Sequence, residues 1–370
     1  MSKEKIPALD YMRGLSMLGV IGIHSGAYYL SNPVVNIHLF AFFDIITRFC
    51  VPIFFFISAF GLFYNLKINE PFDYKTFMVK RFKTVLLPYL TWSAIYITYY
   101  VLRFNDSSIL NFDTLFRYLI FGLCSYQLYF LVLLLWFYLL MPLWIKIIKH
   151  LTAWGLVLLF IFQILFNYYS SYFLNLHFNT AFFNNLITYR LNYLVLYYIF
   201  IFLFGAYCAV HYQKFSVFLK KQPKNLISFG FLSLSGMLSY YYYLVLINHY
   251  TVGEAINIAQ QLSPPGVIYT LGATLALFAF FNNYQLPKYL TNTCAILGKH
   301  SYFAYLVHPL VMYFIFDLMA VFNKMMTFTN AILFFSGTIL FSLLIAELFS
   351  KIYYKIPILG LLLNGTTKIR

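Results

Sequence analysis

The chain has 370 residues, 62% of them hydrophobic and only 9% charged, with a mean hydropathy of +0.77. A soluble domain of this length carries about a quarter charged residues, so a soluble globular protein is excluded and a polytopic membrane protein remains. The formal net charge of +15 does not point to nucleic acid, because the basic residues lie dispersed between apolar runs, where they set topology and meet anionic lipid.

Apolar runs of about 20 residues, enough to cross a bilayer, predict spans at residues 8–29, 40–64, 84–103, 128–148, 152–170, 191–212, 226–247, 265–283, 301–322 and 329–353. The expected fold is an all-α polytopic transmembrane helical bundle of about ten spans, one domain over residues 1–370. With the N-terminus inside, the cytoplasmic side receives Lys3, Lys5, Arg13, Lys67, Lys75, Lys80, Arg81, Lys83, Lys146 and Lys149. It also receives Lys214, Lys220, Lys221, Lys224, Lys288, Lys299, Lys351, Lys355, Lys368 and Arg370, leaving Arg48, Arg103, Arg117, Arg190 and Lys324 for the other side. That asymmetry predicts cytoplasmic N- and C-termini. Met1–Pro7 leads straight into a long span, unlike a cleavable signal. No internal repeat, low-complexity tract or separate soluble domain is visible. Cys50, Cys124, Cys208 and Cys294 are scattered without a CxxC or metal-ligand spacing, so packing roles and no metal site are expected.

The first span carries Asp10, Arg13 and His24, three ionisable groups that lipid does not solvate. Asp10 pairs with Arg13 at helical spacing. His24 follows Arg13 by eleven positions, about three turns, and shares nearly the same face. This polar stripe must face protein or water, so the other helices are expected to pack around it. The second span places Asp44 and Arg48 four apart on one face, then Pro52, which frees a backbone carbonyl inside the span. The pair is expected either to tie the outer helix end or to line a substrate path. Lys80-Arg81-Phe82-Lys83 stands before Pro88-Tyr89 at the inner end of the third span. Three cations there read as a topology signal or as a cradle for the phosphates of a cytosolic ligand. Phe112–Cys124, apolar and aromatic with Arg117, is expected to be an interfacial helix or a re-entrant segment. Ser263-Pro264-Pro265 marks a helix stop followed by a new start. Near the end, Ser301, Tyr305 and His308 recur at intervals of four and three. One helix face thus carries hydroxyl, phenol and imidazole, a predicted cavity lining.

In this order the pieces resemble the acyltransferase-3 family of bacterial integral-membrane O-acyltransferases, in its stand-alone form. The matching motifs are Leu9-Asp10…Arg13-Gly14-Leu15 with His24, Val51-Pro52-Ile53-Phe54-Phe55-Phe56-Ile57-Ser58, and Arg81…Pro88-Tyr89. Leu128-Tyr129-Phe130-Leu131 and Gly298-Lys299-His300-Ser301…Tyr305-Leu306-Val307-His308-Pro309 complete the set. Thr84 stands where the family often has a second arginine, Tyr129 where tryptophan is common, Gln127 where histidine is frequent, and Ala59 where glycine is usual. The resemblance implies a multi-pass protein of the bacterial plasma membrane that transfers an acyl group, usually acetyl, from coenzyme A to a hydroxyl of a surface glycan or lipid-linked sugar. Acetyl-CoA or another acyl-CoA is then a substrate rather than a tightly bound cofactor, the partners being that donor, the glycan acceptor and membrane lipid, with no nucleic acid.

The residues allow that chemistry. A hydroxyl attacking a thioester needs a base that works near neutral pH, which suits imidazole. His24 lies about 16 Å along the helix from Arg13. A donor held by its phosphates at Lys80, Arg81 and Lys83, with Tyr129 as a further contact, could reach His24 through its pantetheine arm. Arg13 would orient the donor and Asp10 would fix Arg13. His308, Tyr305 and Tyr129 are the candidates for stabilising the oxyanion; Asp44, Arg48, Ser301, Tyr305 and His308 are candidates for lining the substrate path. An acyl-His24 intermediate is the alternative to general-base catalysis. A polysaccharide exporter or other secondary transporter is the competing class, since intramembrane charge and a proline-interrupted helix suit a carrier equally well.

Overall fold

The computed structural model describes residues 4–32 and 34–366. Lys3, Lys368 and Arg370, which entered the cation count, lie outside the described residues. Within them the chain is helical with no strand. The helices are α1 (Pro7–Tyr29), α2 (Ile37–Tyr64), α3 (Tyr74–Phe104), α4 (Phe112–Phe121), α5 (Tyr129–Leu139), α6 (Met141–His150), α7 (Ala153–Tyr172) and α8 (Ala181–Thr188). They continue as α9 (Val195–Val210), α10 (Tyr212–Lys221), α11 (Pro223–Ile247), α12 (Val252–Ile258), α13 (Pro264–Asn283), α14 (Lys288–Val321), α15 (Phe328–Lys355) and α16 (Pro357–Asn364).

Among the described residues, seven helices (α2, α3, α7, α11, α13, α14 and α15) are long and apolar enough to cross a membrane, or nine spans if each bent pair counts as one. The pairs are α5 with α6, bent by 64°, and α9 with α10, bent by 97°. After the sharper bend α10 buries Phe215 and Leu219 and ends in Lys220 and Lys221, the pattern of a helix lying across the end of the bundle. The remaining predicted span is α1, which has 23 residues but is not apolar enough to count. The reason is its place. Met12, Gly14, Ser16, Met17 and Val20 are among its many residues buried against neighbouring helices, and a helix walled in by protein need not be apolar. α14 also differs from expectation: it starts at Lys288, with Pro287 before it, well ahead of residue 301. A hydropathy window sees only the apolar portion of such a helix.

Two glycine notches set α1 in the centre. A Cβ on Gly19 would stand 2.0 Å from Cys50 Sγ of α2, and one on Gly298 would stand 2.3 Å from the carbonyl oxygen of Asp10. Small residues let membrane helices approach this closely, which explains both the buried Cys50 and the glycine that opens Gly298-Lys299-His300. Gly14 meets Leu297 and Gly298, and ten residues further along both helices His24 meets His308. α1 and α14 therefore run parallel and in register. α3 follows α14 in the same direction, with Trp92 on Phe303, the Tyr96 hydroxyl donating to Leu306 O at 2.7 Å, and Arg103 bonded to Asp317.

The end of the bundle at which α1 begins is the near end, and that at which it finishes is the far end. Arg48, Arg103 and Arg190 lie towards the far end and each is internally tied. Arg48 pairs with Asp44, Arg103 with Asp317, and Arg190 donates to Ile187 O and Ser170 O at 2.8 and 2.9 Å. α4 exposes Phe112, Phe116 and Ile120 along one stripe, as an interfacial helix does. The irregular turn that follows buries Cys124, Ser125, Gln127 and Leu128, the only setting in which non-helical backbone is tolerated at membrane depth.

Candidate active site

Proline 309 builds the centre of the site. It has no N–H, so the carbonyl of Tyr305, four residues earlier, loses its helical partner. His308 Nδ1 takes that place, 2.7 Å from Tyr305 O and 3.3 Å from Ala304 O. A carbonyl only accepts, so Nδ1 carries the proton and the neutral ring presents Nε2 as a bare acceptor. His308 is fully buried and its Nε2 has no hydrogen-bond partner. Buried polar atoms are mostly paired, so an acceptor left free at the centre of the bundle calls for an explanation.

The half-buried His24 stacks on this ring, with centroids 5.4 Å apart and planes at 21°. Tyr126 closes the group, its ring 4.2 Å from His24 and 6.3 Å from His308, with its hydroxyl on Met312 Sδ at 3.4 Å. Tyr305 leans on His308 and donates its hydroxyl to Gln127 O. Ser301 Oγ donates to Gly298 O at 2.8 Å within α14, so its hydroxyl is turned to its own backbone and away from the histidines. The side-chain amide of Gln127 is buried beside the Tyr96 phenol.

Arg48 approaches from the other side. Its guanidinium sits 2.5 Å from Asp44 and donates to Gln261 Oε1 at 3.2 Å, while Gln261 Nε2 donates to the Tyr198 hydroxyl at 3.3 Å. Asp44 lies in a π-helical turn, Ala41–Ile45, and such turns are frequent at functional positions. Arg48 is within electrostatic reach of both His24 and Tyr129. The pair ties successive turns of α2 and leaves a guanidinium within electrostatic reach of His24.

Other predicted residues stand apart. Asp10 holds Arg13 Nη1 and Lys5 Nζ, each at 2.8 Å, at the near end of α1. Lys80 and Lys83 are exposed. Arg81 is not a solvated cation: its guanidinium carbon lies 5.1 Å from the Phe77 ring and 5.3 Å from the Tyr138 ring, and its Nε is buried without a partner. Tyr129 and Tyr138 occupy opposite ends of α5, about 14 Å apart by the helical rise. Tyr129 thus belongs with the histidines and the far end, away from the three cations. Thr84 sits in the π-helical turn Phe82–Leu86, packed so tightly on Gly365 that a Cβ there would meet Thr84 O at 2.3 Å.

Tyr126 is the site residue that sequence reasoning missed. Among 35 tyrosines its only signal is the polar break Ser125-Tyr126-Gln127 ahead of the apolar α5. It also floors a cavity of about 580 Å³ that opens at the far end and extends to Tyr129. No cluster of three or more metal-ligating side chains occurs among the described residues. Two imidazoles, one of them a fixed acceptor, together with a guanidinium and phenols, form a site suited to moving a proton from a hydroxyl while charge develops on a neighbouring oxygen.

No curated protein and no solved structure matches the chain. A family model does, described as an acyltransferase domain, and it matches residues 6–347, from the start of α1 into α15. The matched stretch holds His24, Arg48, Tyr126 and His308. The chain belongs to the acyltransferase-3 family and is a multi-pass membrane acyltransferase.

Proposed function

We propose that the protein transfers an acetyl group from acetyl-CoA, bound at the near, cytoplasmic end, to a hydroxyl of a glycan or lipid-linked sugar presented at the far end. In this reading both termini are cytoplasmic, α1 is the tenth span and the membrane is the bacterial plasma membrane. The observation that carries it is the stacked pair His24 and His308, the latter with a fixed, unpartnered Nε2. His24 removes the hydroxyl proton as the oxygen attacks the thioester carbonyl. The carbon–sulfur bond then breaks, and the proton passes to the thiolate, giving an ester and free coenzyme A. Neutral His308 cannot donate to the oxyanion, because its one N–H serves the Tyr305 carbonyl. Tyr305 is likewise committed to Gln127 O. Of the phenols first considered, Tyr129 is the remaining donor, and Arg48 adds positive charge beside it. His308 Nε2 instead accepts from a hydroxyl neighbouring the one that reacts.

The reading is sided, and that tests it. In vesicles of defined orientation, transfer is expected only when acetyl-CoA is supplied at the near end and the acceptor at the far end. Equal transfer with both substrates at one face would refute the arrangement. The near-end cations give a second expectation. In this reading Arg81, packed on rings of α3 and α5, holds a ligand phosphate together with the exposed Lys80 and Lys83. Replacing all three by Gln should raise the KM for acetyl-CoA with little change in acceptor KM. An unchanged donor KM in correctly inserted protein would return the cluster to setting topology.

A further inference from the structure

The far-end cavity has a chemistry of its own. It is walled by Tyr100, Tyr118, Tyr126 and Tyr129, with Asn192 and Asp106 among its polar groups. Aromatic faces with a few placed polar groups are what a small-molecule site requires, and phenol rings offer an apolar face for the C–H side of a sugar and a hydroxyl for its edge. Its floor joins the reaction centre twice, through Tyr126 on His24 and through Tyr129 in the field of Arg48. Its charge is one-sided. No lysine, arginine or histidine lines it, and its single ionisable acid is Asp106 at the exposed mouth. The backbone N–H of Ser108 donates to Asp106 Oδ1 at 2.8 Å and holds that carboxyl below the usual carboxylate range, so it is ionised at neutral pH. Arg103, next to Phe104 on the wall, is engaged by Asp317 through bonds of 2.8 and 3.1 Å, and Arg48 below the floor is engaged by Asp44.

We propose that this cavity is the acceptor subsite and that it selects a sugar without negative charge, neutral or aminated, over a uronic, sialic or phosphorylated one. The inference rests on the acyltransfer reading given above and adds the charge class of the acceptor. An anionic sugar would meet the Asp106 carboxylate in a cavity that no lysine, arginine or histidine lines, Arg117 standing on α4 outside that lining, whereas an ammonium group would be drawn in.

The test uses the full chain in lipid vesicles with acetyl-CoA and methyl glycosides of neutral, aminated and uronic hexoses, each in gluco, galacto and manno form. Transfer to neutral or aminated members is expected. Asp106→Lys should raise the KM for the aminated acceptor by about threefold or more at low salt, an effect that shrinks as salt rises, as for any exposed charge. The same variant should raise the KM for neutral acceptors by a smaller factor than for the aminated one, and Asp106→Asn should fall between. Thr114→Trp, which narrows the cavity, should raise the KM for every acceptor. Preference for the uronic members, acceptor KM values unmoved by both Asp106→Lys and Thr114→Trp, or thiol release with transfer to no glycoside would each overturn the assignment while leaving acyltransfer standing. Absence of any thiol release would overturn the acyltransfer reading, and this inference with it.

Discussion

His24→Gln should abolish most acyl transfer, by about 10²–10⁴-fold, the usual cost of losing a general base, in protein that still inserts and purifies intact. Glutamine keeps a hydrogen-bonding side chain of similar reach but takes no proton at neutral pH. If His24 only bridged helices, the amide would replace it, because polar side chains in membranes bond across helices readily. The structure sharpens the contrast, since His24 packs against two aromatic rings, Tyr126 at 4.2 Å and His308 at 5.4 Å, with no hydrogen-bonded bridge to either. Turnover is to be measured with purified protein in defined lipid. Near-native turnover of the variant would remove His24 from the mechanism.

Gly298→Ala should cost activity comparably, although it touches neither histidine. The added Cβ falls 2.3 Å from Asp10 O and 2.8 Å from Asp10 C, and both are backbone atoms. No side chain can swing away, so α1 must separate from α14 by about 1 Å to reach ordinary contact. Those two helices carry His24 and His308, and a misplacement of about 1 Å at a reacting centre costs about 10²-fold. Overpacking of this kind also lowers stability by about 1–3 kcal/mol. Gly61→Ala and Gly236→Ala are the controls, because a Cβ at either position meets nothing within 4 Å. Both should retain activity and stability. Wild-type turnover by Gly298→Ala would show that the spacing of α1 and α14 does not govern the site.

The sequence carried the polar stripe of α1 and the Asp44–Arg48 pair because charge is conspicuous in an apolar run. It also carried the His308-Pro309 step, whose consequence, a tautomer fixed by a freed carbonyl, follows from proline chemistry once the helix is known to continue through it. Three things were hidden. Tyr126 lies in an irregular turn amid many other aromatic residues, and only the fold brings it to His24. Tyr129 and Arg81 both suited a donor site on paper, yet α5 separates them by its own length. The glycine at 298 read as part of a motif, whereas its function is set by the backbone of a helix almost 290 positions earlier. Contacts between distant segments leave no periodic trace, and that is where local reading stops.

Free thiol released from acetyl-CoA by the purified protein measures most directly whether a thioester is broken at His24. With an acceptor glycoside present, the wild type should release thiol and form sugar ester in equal amounts. His24→Gln should reduce both together. A wild type that binds and moves glycan across the vesicle membrane while acetyl-CoA stays intact would contradict the account and identify a transporter instead.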